Sequence, residues 1–297
     1  MLAQVALAYE QAQRQRQNRT PRERQSGAGR PFSLSLPERL LMGLIYLRLY
    51  CSQSLLSYLF DLDESNTCRE FKLRLMPVLL EVLPTPLRDA PLRVHCAQDK
   101  PHSEEPIKKR RRINTLKELL EAHPDFAEVL IDATEQEVPQ PVDKLKRKHA
   151  YSGKQHDHTI KTQIMATRDL VLHVFGRLPG SLHDMTLLRA SGVVASLPAG
   201  VKARLDKGYE GAEKAYPDAD VQTPIKKKRG QQVTLLGKAY NHLLSVLRMP
   251  VEHHFARLQK FGCLSGLWRG PQSEHEDLFC IVSGLLNFRA TGRFELA

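Results

Sequence analysis

Cysteine is scarce in this chain. There are five in 297 residues, Cys51, Cys68, Cys96, Cys263 and Cys280, an odd and scattered set without one Cys-x-x-Cys pair. That spacing indicates neither a disulfide framework nor a zinc knuckle, and the thiols read as ordinary buried ones. Long apolar runs are missing too, since nothing approaches the roughly 18 to 20 residues of a membrane span. Residues 2–9 lack a basic head and are interrupted by Gln4, so they do not read as an export leader and a cytoplasmic protein is expected. Acidic residues are outnumbered, 33 Asp and Glu against 44 Lys and Arg, a formal charge of +11. The excess points to a polyanionic partner such as DNA, RNA or an anionic membrane surface, with solubility as the bland alternative. With 41% hydrophobic residues the chain can bury a sizeable core, most simply one large domain and a smaller one.

Residues 1–31 end in a Gln-, Arg- and Pro-rich stretch that buries little apolar surface and reads as a flexible basic arm. Residues 32–83 change character. Ser35 is a helix cap with Pro37 in the first turn and apolar residues at helical spacing behind it. A second helix over 52–60 and a third beginning near Ser65 are joined by Asp61-Leu62-Asp63-Glu64, and the third carries Arg69, Lys72 and Arg74. Two helices across so short a turn fit a helix-turn-helix entering a major groove, and also fit a plain helical hairpin. Residues 84–125 read as a linker rich in Pro with the basic run 108–112 and a short helix over 114–121.

From residue 126 to 297 the pattern alternates. Val129-Leu130-Ile131 reads as a buried strand delivering Asp132 at or near its end. Strands over 158–166 and 171–175, a helix over 182–190, a strand over 201–205 ending at Asp206, and a brief strand over 220–223 follow. After Thr234 a long helix carries Leu243, Leu244, Leu247, Val251 and Phe255 at spacings of three and four, with Pro250 as a break or kink and Glu252 on it. The sum is an α/β arrangement, a mixed sheet with helices packed on it.

Three carboxylates from separate segments, Asp132, Asp206 and Glu252, suit a hard divalent ion, which takes oxygen ligands and keeps places for water and phosphate. Two such ions would stabilise the attacking and leaving oxygens of a phosphodiester. Each residue alone also has an ordinary reading, as turn former, helix cap or solvent-facing side chain. His253 and His254 diverge by about 100° on a helix and have no Cys or His cluster beside them, so zinc is not indicated. Asp184 sits at a helix start, where capping explains it better than metal. Lys154, His158 and Lys161 suit a DNA backbone or a charged hairpin without a ligand. Trp268 reads as core, with base stacking as the alternative.

In order along the chain stand Ile131-Asp-Ala-Thr-Glu135, Tyr151-Ser-Gly-Lys154, His158-Thr159, Lys161, Pro179-Gly-Ser-Leu-His-Asp184, Asp206-Lys-Gly-Tyr209 and Val251-Glu-His253. This series resembles the bacterial insertion-sequence transposases of the DDE superfamily, insertion-sequence-five type, over residues 126–289, with a weaker likeness over 31–83 to their helix-turn-helix. The resemblance implies a ribonuclease-H-like catalytic domain with Asp132, Asp206 and Glu252 as both catalytic residues and metal ligands, for two Mg2+ ions with Mn2+ as a substitute. It implies a DNA transposase cutting and joining by in-line displacement on the element's terminal repeats and target DNA. A homodimer or higher assembly on DNA, nucleoid-associated and away from membranes, is the corresponding expectation. Lys207 and Lys260 join the basic residues above as expected DNA contacts. Relatives carry Tyr-x2-Arg-x3-Glu-x6-Lys around the last carboxylate; here Arg248 fits, while Ser245 and Gln259 depart, with Lys260 next door. Arg248 is expected to touch phosphate or a terminal base, an ion pair with Glu252 worth about 0.3 to 0.5 kcal/mol being the alternative. A transposase-derived DNA-binding regulator without catalysis, and a ribonuclease-H-like nuclease, are the competing readings.

Overall fold

The computed structural model describes residues 2–18, 33–88, 127–227 and 232–291. The basic run at 108–112, the short helix expected at 114–121, residues 19–31 of the arm and Cys96 lie outside the described residues. The amino-terminal part is helical: α1 (Leu2–Asn18), α2 (Leu36–Leu49), α3 (Gln53–Phe60), α4 (Glu64–Cys68) and α5 (Met76–Val82), with Arg69–Leu75 joining the last two in a wider π-helical turn. Ser35 begins α2 as expected, its N–H donating to Glu38 Oε2 at 2.7 Å. Asp61, in the left-handed region at φ 50°, ends α3 and opens the tight turn into α4.

The arm expected over residues 1–31 is corrected in its first part. Residues 2–18 are α1, with Val5, Ala8 and Tyr9 buried and Ala12 packed beside them. That i, i+3, i+4, i+7 stripe binds the helix to the core whatever its polar remainder suggests. Tyr9 also accepts a hydrogen bond from Arg39 Nη1 at 2.6 Å, and Arg39 lies 3.6 Å from Glu70, so buried polar groups pair across three helices. The expected linker contributes a short edge strand, β1 (Leu87–Arg88).

The remaining elements are β2 (Glu128–Glu137), α6 (Lys144–Ala150), β3 (Tyr151–Ser152), β4 (Asp157–Ala166), β5 (Val171–Pro179), α7 (Asp184–Ser191), β6 (Lys202–Leu205), α8 (Ala212–Ala215), β7 (Asp220–Gln222), α9 (Leu235–Leu258), α10 (Gly262–Ser265) and α11 (Gln272–Thr291). Seven strands form a sheet in the order β1-β5-β4-β2-β6-β7, with β3 paired to β4 alongside. β2, β4 and β5 form an antiparallel meander, while β6 and then β7 add in parallel beside β2. A three-strand meander continued by two parallel strands on the side of its first strand is the ribonuclease-H-like order. Residues alternate across the sheet as a period of two requires. Leu130, Ile164 and Val174 face one apolar cluster, and Val129, Ile131, Met165 and Leu172 face the other.

The first cluster is completed by α9, α11 and the amino-terminal helices, so the helix-turn-helix region and the sheet share one core. Trp268 lies in it with 1% of its surface exposed, stacked on Tyr50 at 5.7 Å. Pro250 neither ends nor breaks α9, which runs through it. The strand expected to end near Asp132 continues to Glu137. What stops at that point is the partner strand, and this places the site.

Candidate functional site

β2 and β6 pair in parallel up to Ile131 opposite Leu205, and β6 ends there. Asp132, still within β2, and Asp206, just past the end of β6, are the next residues, so the register alone sets two carboxylates side by side where a parallel pair opens. Open α/β sheets bind ligands at such carboxyl-terminal strand ends. α9 crosses this point and inserts Arg248, whose Nη1 donates to Asp206 Oδ1 at 2.8 Å and Nη2 to Asp132 Oδ2 at 3.0 Å. The guanidinium is buried, its side chain 8% exposed, whereas Asp206 is 45% exposed and Asp132 21%. Its Nε is buried without a partner among the described residues. Burial pushes the Asp132 carboxyl up to about 6, against the pull of Arg248 and of the Ala133 N–H and with a further push from Asp206. Lys154, exposed in the turn before β4, is close enough to lower it in turn.

On the opposite face of β2, Glu135 meets Lys161, its cross-strand partner on β4. Lys161 Nζ lies 3.3 Å from Glu135 Oε1 and 3.0 Å from Asp184 Oδ1, and donates to the Leu182 carbonyl at 2.8 Å. Burial pushes the Glu135 carboxyl up, but hydrogen bonds from Ser152 and Thr159, together with Lys161, outweigh it and hold it below the usual carboxylate value. α7 is capped by His183, whose Nδ1 accepts from the Met185 N–H at 3.4 Å, and Asp184 opens its first turn. Two glycines let these pieces close up. A Cβ on Gly208 would stand 2.3 Å from Asp184 Oδ2, and one on Gly180 would stand 1.9 Å from Thr159 Oγ1. Tyr209, fully buried behind the two aspartates, donates to Gln163 Oε1 at 3.5 Å. Burial first, then Asp132, Asp184 and Asp206, raise its pKa well above 10, so it stays a neutral phenol.

Of the residues expected from sequence, Asp132, Asp206 and Arg248 therefore meet. Glu252 lies one turn past Arg248 on α9 and is exposed. Among the described residues no three Asp, Glu, His or Cys side chains are gathered into a metal-holding group. Two converging carboxylates still fit a hard divalent ion, which needs only one or two from the protein beside water and phosphate oxygens. Arg248 bridges the two aspartates and does not form the i, i+4 pair with Glu252 that is the alternative reading from sequence. Lys161 is a correction to the expected DNA contacts: a buried ammonium shared between two carboxylates is spent inside the fold. Lys72 is likewise 2.8 Å from Glu274 on α11, and Arg74 is paired with Glu70. Arg69, Lys154, Lys207 and Lys260 are exposed, and His158 is half-buried beside Asp157 and Tyr151. The sequence motifs included Glu135 and Tyr209 but gave neither a role in this region. The signal for Glu135 is its register opposite Lys161, which appears only once β2 and β4 are paired.

A family profile described as DDE superfamily endonuclease matches residues 131–287, and a second, the helix-turn-helix of that superfamily, matches residues 32–84. The chain belongs to the DDE superfamily of endonucleases. Both matches coincide closely with the stretches whose resemblance the motifs had indicated. A curated relative, the probable transposase for insertion sequence element IS702 of Microchaete diplosiphon, is 34% identical over 173 residues, 58% of this chain. The chain matches 60% of that relative's length. Among solved structures, the Mos1 transposase paired-end complex with left transposon end is 11% identical at a TM-score of 0.20, covering 95% of this chain and 84% of the other. The Mos1 strand transfer complex is 8% identical at a TM-score of 0.21, covering 94% and 84%. In this DDE-superfamily chain no helix of the described residues is long and apolar enough to cross a membrane.

Proposed function

We propose that this DDE-superfamily protein is a DNA transposase that binds the ends of its element through the helix-turn-helix and cuts and joins DNA at Asp132, Asp206 and Glu252. The observation carrying this reading is the pair Asp132 and Asp206, side by side at the opening of a parallel strand pair and bound to one guanidinium. The family matches and the name of the IS702 relative support it.

Asp132 and Asp206, with Glu252 as third ligand, would hold divalent ions, Mg2+ or Mn2+, which when bound stabilise charge on the oxygens around the reacting phosphorus. The protein's own part is positional. The β2–β6 register fixes the carboxylate spacing, and the buried, neutral Tyr209 backs the pair without adding charge. Arg248 offers two N–H groups to anionic oxygen, and phosphate is a natural alternative acceptor for them. In the first step water forms a bond to phosphorus as the P–O3′ bond breaks, leaving a 3′ hydroxyl and a 5′ phosphate. In the second, that 3′ oxygen bonds a target phosphorus and the target's own P–O3′ bond breaks. Pairing two element ends calls for two or more copies of the chain on DNA.

The guanidinium spanning the carboxylates favours one other reading, a DNA-binding regulator that does not cut. Incubating the protein with DNA carrying the element's ends and Mg2+ separates them: nicking followed by joined product is expected from the wild type. Asp132→Asn, Asp206→Asn and Glu252→Gln should each lower cutting by at least 100-fold, an effect of more than about 2.7 kcal/mol on the barrier, while end binding persists. Binding without nicking by the wild type establishes the regulator. Cut ends that are never joined establish a plain nuclease.

A further inference from the structure

A cavity of about 740 Å³ lies where α2, α9 and α11 meet, and Arg48, Arg257, Lys260 and Arg289 line it with Asp169 and His254. Four permanent cations thus face one carboxylate. Burial lowers the pKa of His254, which also contacts the Thr167 carbonyl at 3.0 Å, so it adds no charge at neutral pH. Arg48 is held in place: its guanidinium donates to the Lys260 carbonyl and lies over the Phe261 ring, 5.6 Å from the centroid. Arg257 and Arg289 occupy the last turns of α9 and α11. Cations at helix carboxyl ends answer the helix dipole, but one per end suffices, and Arg48 brings a further one from the helix-turn-helix region. Among the described residues, no ion pair neutralises Arg257, Lys260 or Arg289. Such an excess is stable beside solvent and gains most from a polyanion.

The place in the fold narrows the ligand. Arg257 follows Arg248 by nine residues on one helix, roughly 14 Å along its axis and about half a turn round it, so the cavity opens on a different face of α9 from the two aspartates. On its other side it is walled by the helix-turn-helix region. We infer that this cavity is a binding site for the sugar-phosphate backbone of duplex DNA, gripping it where the helix-turn-helix region packs against α9 and α11. The inference rests on the protein being DNA-binding, not on its cutting DNA. Backbone contacts of this kind carry no sequence information and set register and orientation.

Measure binding of the full chain to a duplex of arbitrary sequence across a salt series, for the wild type, Arg257→Ala/Arg289→Ala, and a charge-matched control, Lys202→Ala/Lys214→Ala. Loss of two phosphate contacts should make the slope of log K against log salt shallower by about 1.8 and weaken binding at least tenfold, with the control within threefold of wild type. Equal slopes for the cavity variant and wild type, or equal losses in variant and control, overturn the inference. So does tight binding of inorganic phosphate that the variant abolishes while its DNA slope stays unchanged, since the site would then serve a free anion. If the wild type does not bind duplex or element-end DNA at all, the proposed function fails with it, a result distinct from a wild type that binds through other residues.

Discussion

Arg248 is the residue on which the site's organisation turns. Without a cation between them, Asp132 within β2 and Asp206 just past the end of β6 would face each other, and Asp132 is already pushed towards protonation by burial and by its neighbour. The guanidinium bonds one oxygen of each, a two-pronged contact that Lys cannot copy with one ammonium. Arg248→Met keeps the buried stem and removes the charge. Cutting one member from a mostly buried ion group leaves the others unpaired, which costs about 3 to 5 kcal/mol when burial is complete. Asp206 is 45% exposed, so water takes up part of that loss, and we expect the metal-free protein to lose roughly 1 to 2 kcal/mol. Urea denaturation of the metal-free wild type and variant measures this directly. An unchanged midpoint would mean that solvent satisfies both carboxylates unaided.

At the scale of elements, α11 is tied to the sheet by His275. Its Nε2 meets Gln136 Oε1 at 2.8 Å, and Gln136 Nε2 in turn reaches the carbonyls of Cys263 at 3.1 Å and Gly266 at 2.7 Å. The ring is 1% exposed and packs edge-on to Trp268. Burial pushes its pKa down to about 4 from an ordinary 6.5. Because the unfolded chain binds this proton more readily, the stability of the neutral ring is fully present above pH 6.5 and is lost as pH falls through about 4. The loss should be on the order of 3 kcal/mol. Unfolding free energies at pH 7, 5.5 and 4.5 should decline in the wild type and decline less in His275→Gln; parallel declines would place the acid sensitivity elsewhere. Elements of this kind mark the limit of what the sequence makes legible. Strand periodicity and the β6 boundary reveal Asp132 and Asp206, because apolar alternation and a chain break in it are local signals. Glu135 with Lys161, or His275 with Gln136, becomes visible only when register and helix docking are known. α1 was hidden for a different reason: its short apolar stripe is diluted by the Gln and Arg that follow it, so composition outweighs periodicity over the whole segment.

The whole molecule joins a helix-turn-helix to a ribonuclease-H-like sheet without an apolar boundary between them. Val5, Leu47, Phe71 and Leu79 from the amino-terminal helices belong to one cluster with Ile164, Val251 and Ile281. Lys72 reaches Glu274, and Asn287 Nδ2 donates to the Pro84 and Val171 carbonyls at 3.0 and 2.8 Å, adding polar ties across the same junction. Two domains held by a linker would present two separate cores and unfold independently, whereas a shared core makes each part's burial depend on the other. The chain carries a reporter for this. Trp268, the sole Trp, sits at the junction, its ring stacked on Tyr50 from the helical region while its backbone N–H donates to the Glu137 carbonyl of β2 at 2.8 Å. Its fluorescence therefore follows the junction, and far-ultraviolet circular dichroism follows helices throughout. If the core is cooperative the two signals trace one coincident denaturation curve, and Tyr50→Ala, which strips the ring from one side of Trp268, moves both together by about 2 to 4 kcal/mol. Fluorescence changing well before circular dichroism would show the helix-turn-helix parting from an intact sheet. In that case the cation-lined cavity between them would open before the fold is lost, and its grip on DNA would depend on temperature independently of the aspartate site.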